Sequence, residues 1–244
     1  MLLENKTILI ISPNKWGKMH ISKHHYASEL AQRGNNVYFL NPPNYSQKEK
    51  LKIEKTDQNL YCISYRPIFP FKIRFHYRKL YDFLIRFQIR RILKVLENNK
   101  PDIVWSFETN LFSDLTLFKS KLCIYHPVDM IFGNYQRKII DSAGYVFSVS
   151  DKIISKINTI RPDKTVSYVN HGLSFVYANA ACVKETKQKK TNVCYIGNLL
   201  IPSLDHICFT QLIKENPTIS FTFYGAYEVN SSNLGGDAGS EKQA

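Results

Sequence analysis

Three short stretches carry residues able to do chemistry, and each follows an apolar run. The first is Ser12-Pro13-Asn14-Lys15-Trp16-Gly17-Lys18, directly after Ile8-Leu9-Ile10-Ile11. Its lone glycine lets backbone N–H groups come close to a ligand, and Lys15 and Lys18 supply charge for an anion such as a diphosphate. Trp16 either lines a pocket there or covers the loop. The second stretch is His126-Pro127-Val128-Asp129, after the run Leu122 to Tyr125. The histidine can donate a hydrogen bond to a ligand hydroxyl, and the carboxylate can accept one and orient an acceptor; packing as a satisfied core histidine is the other reading of His126. The third is Glu108, just past Ser106, read as a site acid, with a helix cap or a solvent-facing residue as the alternative. His20 and His24 are one helical turn apart, with His25 beside them. No His-Glu-x-x-His pattern and no third ligand accompany them, so they read as helix-surface or pocket residues and no metal is expected.

These stretches need elements to position them, and the chain supplies short strands alternating with helical patterns, the signature of a parallel α/β sheet. The run Ile8 to Ile11 is apolar at every position, as expected of a strand buried on both faces. A helix then opens near Ser22 as N-cap and closes at Gly34. Further strands are expected at Val37 to Leu40, Leu60 to Tyr65, Asp102 to Ser106, Leu122 to Tyr125, Tyr145 to Val149 and Thr165 to Val169, with a polar connection from Asn44 to Asn59. Ser150 caps a helix reaching Ile160. A long helix is predicted from Ile73 to Asn98, with Tyr77, Leu80, Tyr81, Leu84, Phe87, Ile92 and Val95 on its apolar face.

Composition shifts after that domain. Residues 1–176 read as one doubly wound domain, 177–191 as a basic linker, 192–229 as the start of a second α/β domain and 230–244 as a disordered tail. The restart comprises a strand at Asn192 to Ile196, the turn Gly197-Asn198, a helix from Ser203 to Glu215 and a strand from Thr218 to Tyr224. One such unit makes no stable sheet alone, so a truncated two-domain protein is expected.

The chain of 244 residues carries 33 Lys and Arg against 20 Asp and Glu, a net charge of +13, which implies an anionic partner. Eight basic residues against Asp82 alone lie between Lys72 and Lys94. Lys72, Lys79, Arg86, Arg90 and Lys94 form one helical stripe with Phe83 among them, which can rest on an anionic bilayer or remain a solvated face. Five cysteines, odd in number and mostly within apolar runs, read as buried thiols. No run is long enough to span a bilayer, and the amino terminus lacks a signal-peptide pattern, so a cytoplasmic protein is expected, peripheral on the inner face of the cytoplasmic membrane.

The order of these parts resembles the GT-B-fold glycosyltransferases of group 1 (family 4), in particular the branch with teichuronic-acid-type enzymes. The resemblance rests on Trp16 to Gly34 with Tyr38-Phe39-Leu40-Asn41-Pro42-Pro43, on Tyr125-His126-Pro127-Val128-Asp129, on Tyr145 to Ser150, on Asn170-His171-Gly172, and on Tyr195-Ile196-Gly197-Asn198-Leu199 with Leu204-Asp205. It covers roughly Thr7 to Gly225. It implies an α/β fold: a doubly wound Rossmann-like parallel sheet, the GT-B N-terminal domain, followed by the incomplete start of a second Rossmann-like domain. The implied reaction is metal-independent transfer of a hexose from a nucleotide-sugar to a glycan or lipid-linked acceptor in cell-surface polysaccharide synthesis. The nucleotide-sugar is substrate, and no cofactor is called for. Taken with the reading of the residues above, it points to His126 and Asp129 for catalysis, His126 matching a histidine that lies near the reacting sugar in several relatives, to Gly17, Lys18, Gly197 and Asn198 for donor binding, and to Trp16, Glu108 and Tyr125 for acceptor binding. Such enzymes bind the nucleotide with a Glu-x7-Glu segment in the second domain. None occurs here, so the chain as given is expected to have little or no transferase activity.

Two other classes compete. A nicotinamide-dependent oxidoreductase would carry Gly-x-Gly-x-x-Gly after the first strand, where only Gly17 stands. A non-catalytic module for an anionic polymer or a membrane surface would account for the charge, but no nucleic-acid module is visible and no nucleic-acid partner is expected.

Overall fold

The computed structural model describes residues 3–17, 19–130, 135–175, 192–201 and 204–225. The chain divides into two compact units, residues 1–180 and 181–244; the predicted linker and tail lie almost wholly outside the described residues. The first unit holds an eight-stranded sheet. Its strands are β1 (Thr7–Ile11), β2 (Asn36–Leu40), β3 (Leu51–Asp57), β4 (Leu60–Tyr65), β5 (Ile103–Ser106), β6 (Leu122–Tyr125), β7 (Tyr145–Ser148) and β8 (Val166–Tyr168), in the order β3-β4-β2-β1-β5-β6-β7-β8. Only β3 runs antiparallel, pairing with β4.

β1 is central because both faces and both edges are covered. Ile8 and Ile10 pack on one side with Ala27 and Leu30 of helix α1 (Ser22–Gln32), while Leu9 and Ile11 face the side holding Tyr81, Ile85 and Ile89 of α2 (Arg78–Leu93). The period of two along a strand explains why every position is apolar. α3 (Gln136–Ser142) and α4 (Asp151–Ile160) complete the α2 side with Ile139, Ile140, Ile153 and Ile157. Ser150 caps α4, its hydroxyl accepting from Ile153 N–H at 3.4 Å. The chain lays β2 on one side of β1 and later β5 on the other. That reversal opens a crevice at the carboxyl ends of β1 and β5.

Three expectations are corrected. The polar connection contains β3, a strand whose charged side chains are almost entirely exposed; as an edge strand it has no core face to impose apolar alternation. The long helix is a 3-10 turn at Phe71–Phe75 followed by α2, which stops at Leu93. Its buried stripe is Tyr81, Ile85, Gln88, Ile89 and Ile92, whereas Tyr77, Leu80 and Phe87 are exposed. Exposed Leu80 and Phe87 within α2, and Tyr77 just before it, are as apolar as the buried stripe and so set a false phase. Ser22 is the first helical residue and Ile21 the cap; Gly34, at φ +79°, closes the helix as expected.

The second unit pairs β9 (Asn192–Ile196) in parallel with β10 (Ser220–Tyr224), joined through α5 (His206–Glu215), which Asp205 caps by accepting from Ile207 and Cys208 N–H. No described side chain of these elements is buried, so Cys194 and Cys208 are exposed thiols, unlike the buried Cys62 and Cys123; Cys182 lies outside the described residues.

Asn35, fully buried, ties the start of β1 to the end of α1. Its carbonyl accepts from Lys6 N–H at 3.1 Å and its amide donates to the carbonyls of Leu3 and Leu30, both at 2.8 Å. Asn35→Ala takes the partner from Lys6 N–H and Leu3 C=O, while Leu30 C=O keeps the backbone N–H of residue 35, and is expected to cost roughly 1–3 kcal/mol, read from urea unfolding midpoints.

Candidate active site

The parallel ladder continues one residue past the strands. Ser12 N–H donates to Leu40, Phe107 N–H to Ile11 at 2.9 Å and His126 N–H to Ser106 at 2.8 Å. These bonds bring the loops after β1, β5 and β6 to one edge.

Lys23 sits among them. It lies in the first turn of α1, is 1% exposed, and its ammonium donates to Asn14 Oδ1 at 2.5 Å while standing 5.9 Å from the centre of the Phe107 ring. Burial pulls its pKa down to about 8, with the charge of Asp129 acting in the opposite sense. No carboxylate lies within salt-bridge distance among the described residues. A desolvated ammonium without a carboxylate partner at a switch-point edge marks a candidate site, because packing alone would favour an apolar side chain. Sequence reasoning passed over Lys23. The signal was available: a lysine in the first turn of a helix with no acidic residue there opposes the helix dipole.

Two neutral histidines flank the lysine. His24 Nδ1 accepts from Ile21 N–H at 3.1 Å, so Nε2 bears the proton and donates to Lys15 C=O at 3.2 Å, fixing the loop to the helix. His24 is therefore buried, not on the helix surface, and stacks with His20 and Phe39. His126 is fully buried in a box of Tyr26, Trp105, Phe107 and Phe147. Its Nε2 lies 3.3 Å from Val169 C=O and must donate, which leaves Nδ1 bare and without a partner. Burial lowers both histidines to a pKa of about 4.

The loop after β8 completes the edge. Asn170 C=O accepts from Tyr26 Oη at 2.6 Å, His171 Nδ1 lies 2.5 Å from Ser22 Oγ, and Gly172 packs so tightly on the Tyr26 ring that a Cβ would approach it to 3.0 Å.

The predicted residues fare differently. Gly17 is exposed at the crevice, and a Cβ there would meet nothing closer than 3.9 Å, so the fold itself does not require glycine. Lys18 lies outside the described residues. Trp16 packs its ring on His20, His24 and Phe39, and its backbone N–H donates to Asn41 Oδ1 at 2.7 Å, so it covers the loop. Asp129 is exposed beside Lys23. Tyr125 is fully buried, its hydroxyl paired with Thr109 Oγ1 at 3.0 Å, and direct contact with an acceptor is closed to it and to His126 in this arrangement. Glu108 caps its own turn, its carboxylate accepting from the N–H groups of Asn110, Leu111 and Phe112. Burial raises its pKa.

Gly197 and Asn198 belong to the second unit. Gly197 N–H donates to Tyr224 at 2.9 Å, and a Cβ at Gly197 would meet the Tyr195 hydroxyl at 2.8 Å. Asn198 Oδ1 accepts from Leu200 N–H. On α2, Lys79, Phe83, Arg86 and Arg90 are exposed along one stripe and Lys94 follows as C-cap, whereas Lys72 lies on the 3-10 turn, off that helix. Among the described residues no group of three or more His, Cys, Asp or Glu is placed to hold a metal, and no helix is long and apolar enough to cross a membrane.

No family model matches the chain, and no curated protein matches it. Solved structures do. An E. coli trehalose-6-phosphate protein bound with UDP-2-fluoro glucose aligns with a TM-score of 0.56 at 10% identity, over 88% of this chain. An α,α-trehalose-phosphate synthase (UDP-forming) from Burkholderia vietnamiensis gives 0.57 at 10% identity over 93%. An alpha-glucosyltransferase in complex with UDP and a 13-mer DNA gives 0.52 at 11% identity over 88% of this chain and 54% of its own. These are GT-B glycosyltransferases. The eight-stranded sheet with its helices matches a GT-B Rossmann-like domain. At such identities the likeness is one of fold. This chain spans 64% of the length of each of the first two proteins.

The neutral histidines make stability pH-dependent. Between pH 6.5 and about 4 the unfolded chain binds protons that folded His24 and His126 do not, so stability falls on acidification through that window and is fully present above it. Glu108 contributes in the opposite sense, which the comparison of variants removes. His126→Asn is expected to flatten the pH dependence by up to about 1.4 kcal/mol per pH unit, measured by urea unfolding from pH 4 to 7.

Proposed function

We propose that the chain is a glycosyltransferase of the group 1 (family 4) kind, within the teichuronic-acid-type branch. The reaction is metal-independent transfer of a hexose from a nucleotide-sugar to a glycan or lipid-linked acceptor in cell-surface polysaccharide synthesis; lacking a Glu-x7-Glu segment, this chain by itself is expected to bind donor but to turn it over little or not at all. The observation that carries this reading is the desolvated ammonium of Lys23 beside the exposed loop of Gly17. A diphosphate arriving there brings the counter-charge that the protein withholds, and the loop adds backbone N–H groups as further donors. Transfer breaks the bond from the anomeric carbon to the diphosphate oxygen and forms one to an acceptor hydroxyl. Lys23, buried beneath the loop, offsets the charge left on the diphosphate through its field rather than by contact; exposed Asp129 accepts a hydrogen bond from the incoming hydroxyl, whose proton passes to the leaving diphosphate oxygen. His126 acts as a positioning residue, holding Tyr26 and Phe107 around the lysine. The neighbours' UDP-containing complexes support a UDP-sugar as first probe.

Binding of UDP-glucose to the full chain, measured by calorimetry, tests the proposal and separates it from a non-catalytic module for anionic polymers. Lys23→Met is expected to weaken binding by about tenfold or more while leaving the melting temperature equal or higher. Gly17→Ala is expected to leave stability unchanged and weaken binding. Wild-type binding that neither variant alters would reject this site.

A specific observation also favours a peripheral position on the cytoplasmic membrane. Phe75, Tyr77, Leu80, Phe83 and Phe87 are each more than 40% exposed, and they lie among Lys79, Arg86 and Arg90. Aromatic side chains bordered by cations suit the interface of an anionic bilayer. Arg86→Glu with Arg90→Glu is expected to lower sedimentation with phosphatidylglycerol vesicles by about tenfold or more at low salt.

A further inference from the structure

A cavity of about 760 Å³ opens at the same carboxyl edge on the α2 side of the sheet. It is walled by Pro13 after β1, by Pro42 and Pro43 after β2, by Pro70 and Phe71 of the 3-10 turn, and by Leu111 after β5. Its size is that of a ligand site, since such sites run to about 300–1,000 Å³. We infer that this cavity holds the hydrocarbon chain of a lipid phosphate, with the phosphate held at the mouth by Lys72 and Arg74.

The walls suit a sugar poorly as occupant of the interior. Ser12 Oγ donates to Asn14 C=O at 2.7 Å, the Glu108 carboxylate takes three backbone N–H groups, and Tyr45 Oη accepts from Phe71 N–H at 2.9 Å, which leaves the Tyr45 O–H and the exposed Asn110 amide as the neutral polar groups on the lining. Prolines and aromatic rings offer apolar surface and no donors, which suits an alkyl chain and leaves hydroxyls unpaired. The mouth has the opposite character. Lys72 and Arg74 line it, neither has a carboxylate within salt-bridge distance among the described residues, and Arg74 lies over the Phe75 ring at 4.6 Å. Against two cations stands only the buried Glu108, so the opening is positive and selects an anionic headgroup. Phe75 leads from the mouth to the exposed aromatic side chains of α2, so a chain drawn from a bilayer reaches the cavity along apolar surface.

The inference deepens the acceptor side of the proposed reaction and rests on it for its biological meaning, but the binding event is measured with no sugar donor present. Dodecyl phosphate, below its micellar concentration, is titrated into the full chain by calorimetry, beside inorganic phosphate and the neutral dodecyl maltoside. Dodecyl phosphate is expected to bind at least about tenfold more tightly than either. Lys72→Gln with Arg74→Gln, and separately Asn110→Trp at an exposed lining position, are each expected to weaken it by about tenfold, with unchanged circular dichroism. Arg86→Glu with Arg90→Glu leaves it unchanged, which separates the cavity from general attraction to the basic helix. Inorganic phosphate binding as tightly would mean that the chain contributes nothing. Equal binding of the maltoside, or wild-type affinity in Asn110→Trp, would overturn the assignment. Intact lipid-phosphate binding with no UDP-glucose binding would reject the sugar-transfer reading and leave this one standing.

Discussion

Burial of β1 on both faces and along both edges is the constraint that positions everything at the crevice. Side chains at Ile8 and Ile10 commit one face to α1, those at Leu9 and Ile11 commit the other to α2, and the ladders to β2 and β5 fix register. A shift of one residue would exchange the two faces, so register is tightly specified. The loops that follow β1, β5 and β6 then have no freedom at their roots. This is why Asn14, Phe107 and Asp129, far apart in sequence, come together around Lys23.

The charges at that edge are unevenly solvated. Lys79, Arg86 and Arg90 on α2 and Lys72 on the turn before it stay in water, where each costs little and attracts anions over distances that salt shortens. Lys23 is different because its ammonium is inside, with one amide oxygen as its near partner. The neighbouring histidines stay neutral for the same reason, since a second buried cation would add to the cost already present. The result is one buried ammonium held among neutral histidines and aromatic rings, with no carboxylate in salt-bridge contact among the described residues. The proline-walled cavity on the other side of the sheet has the reverse arrangement, with its cations at the mouth and apolar surface within.

Where the sequence was legible, burial had left a period to read. The runs Ile8 to Ile11, Leu60 to Tyr65 and Leu122 to Tyr125 are apolar because both faces are covered, and each is a strand in the fold. β3 was not legible because an edge strand faces water and keeps no alternation. The phase of α2 was misread because exposed Tyr77, Leu80 and Phe87 are as apolar as the Ile85, Ile89 and Ile92 stripe that meets the sheet. In the site, position was easier to infer than exposure. His126 and Tyr125 do follow a strand at the ligand-bearing edge, but their side chains turn inward to the aromatic box and the core. Lys23 was missed because a lysine beside histidines on a helix reads as solvent-facing, and only the packing of Phe107 against it shows otherwise.

The two borders of the large sheet differ in what they permit. β3 closes one side with Lys52, Glu54 and Lys55 on an exposed antiparallel strand, while the opposite border is β8, only three residues long. Neither offers another polypeptide a long apolar template to pair with. Proteins that expose continuous borders tend to stick to copies of themselves while folding. Among the described residues of the large unit, this layout works against that failure, so crowded synthesis should not readily drive these domains into shared sheets.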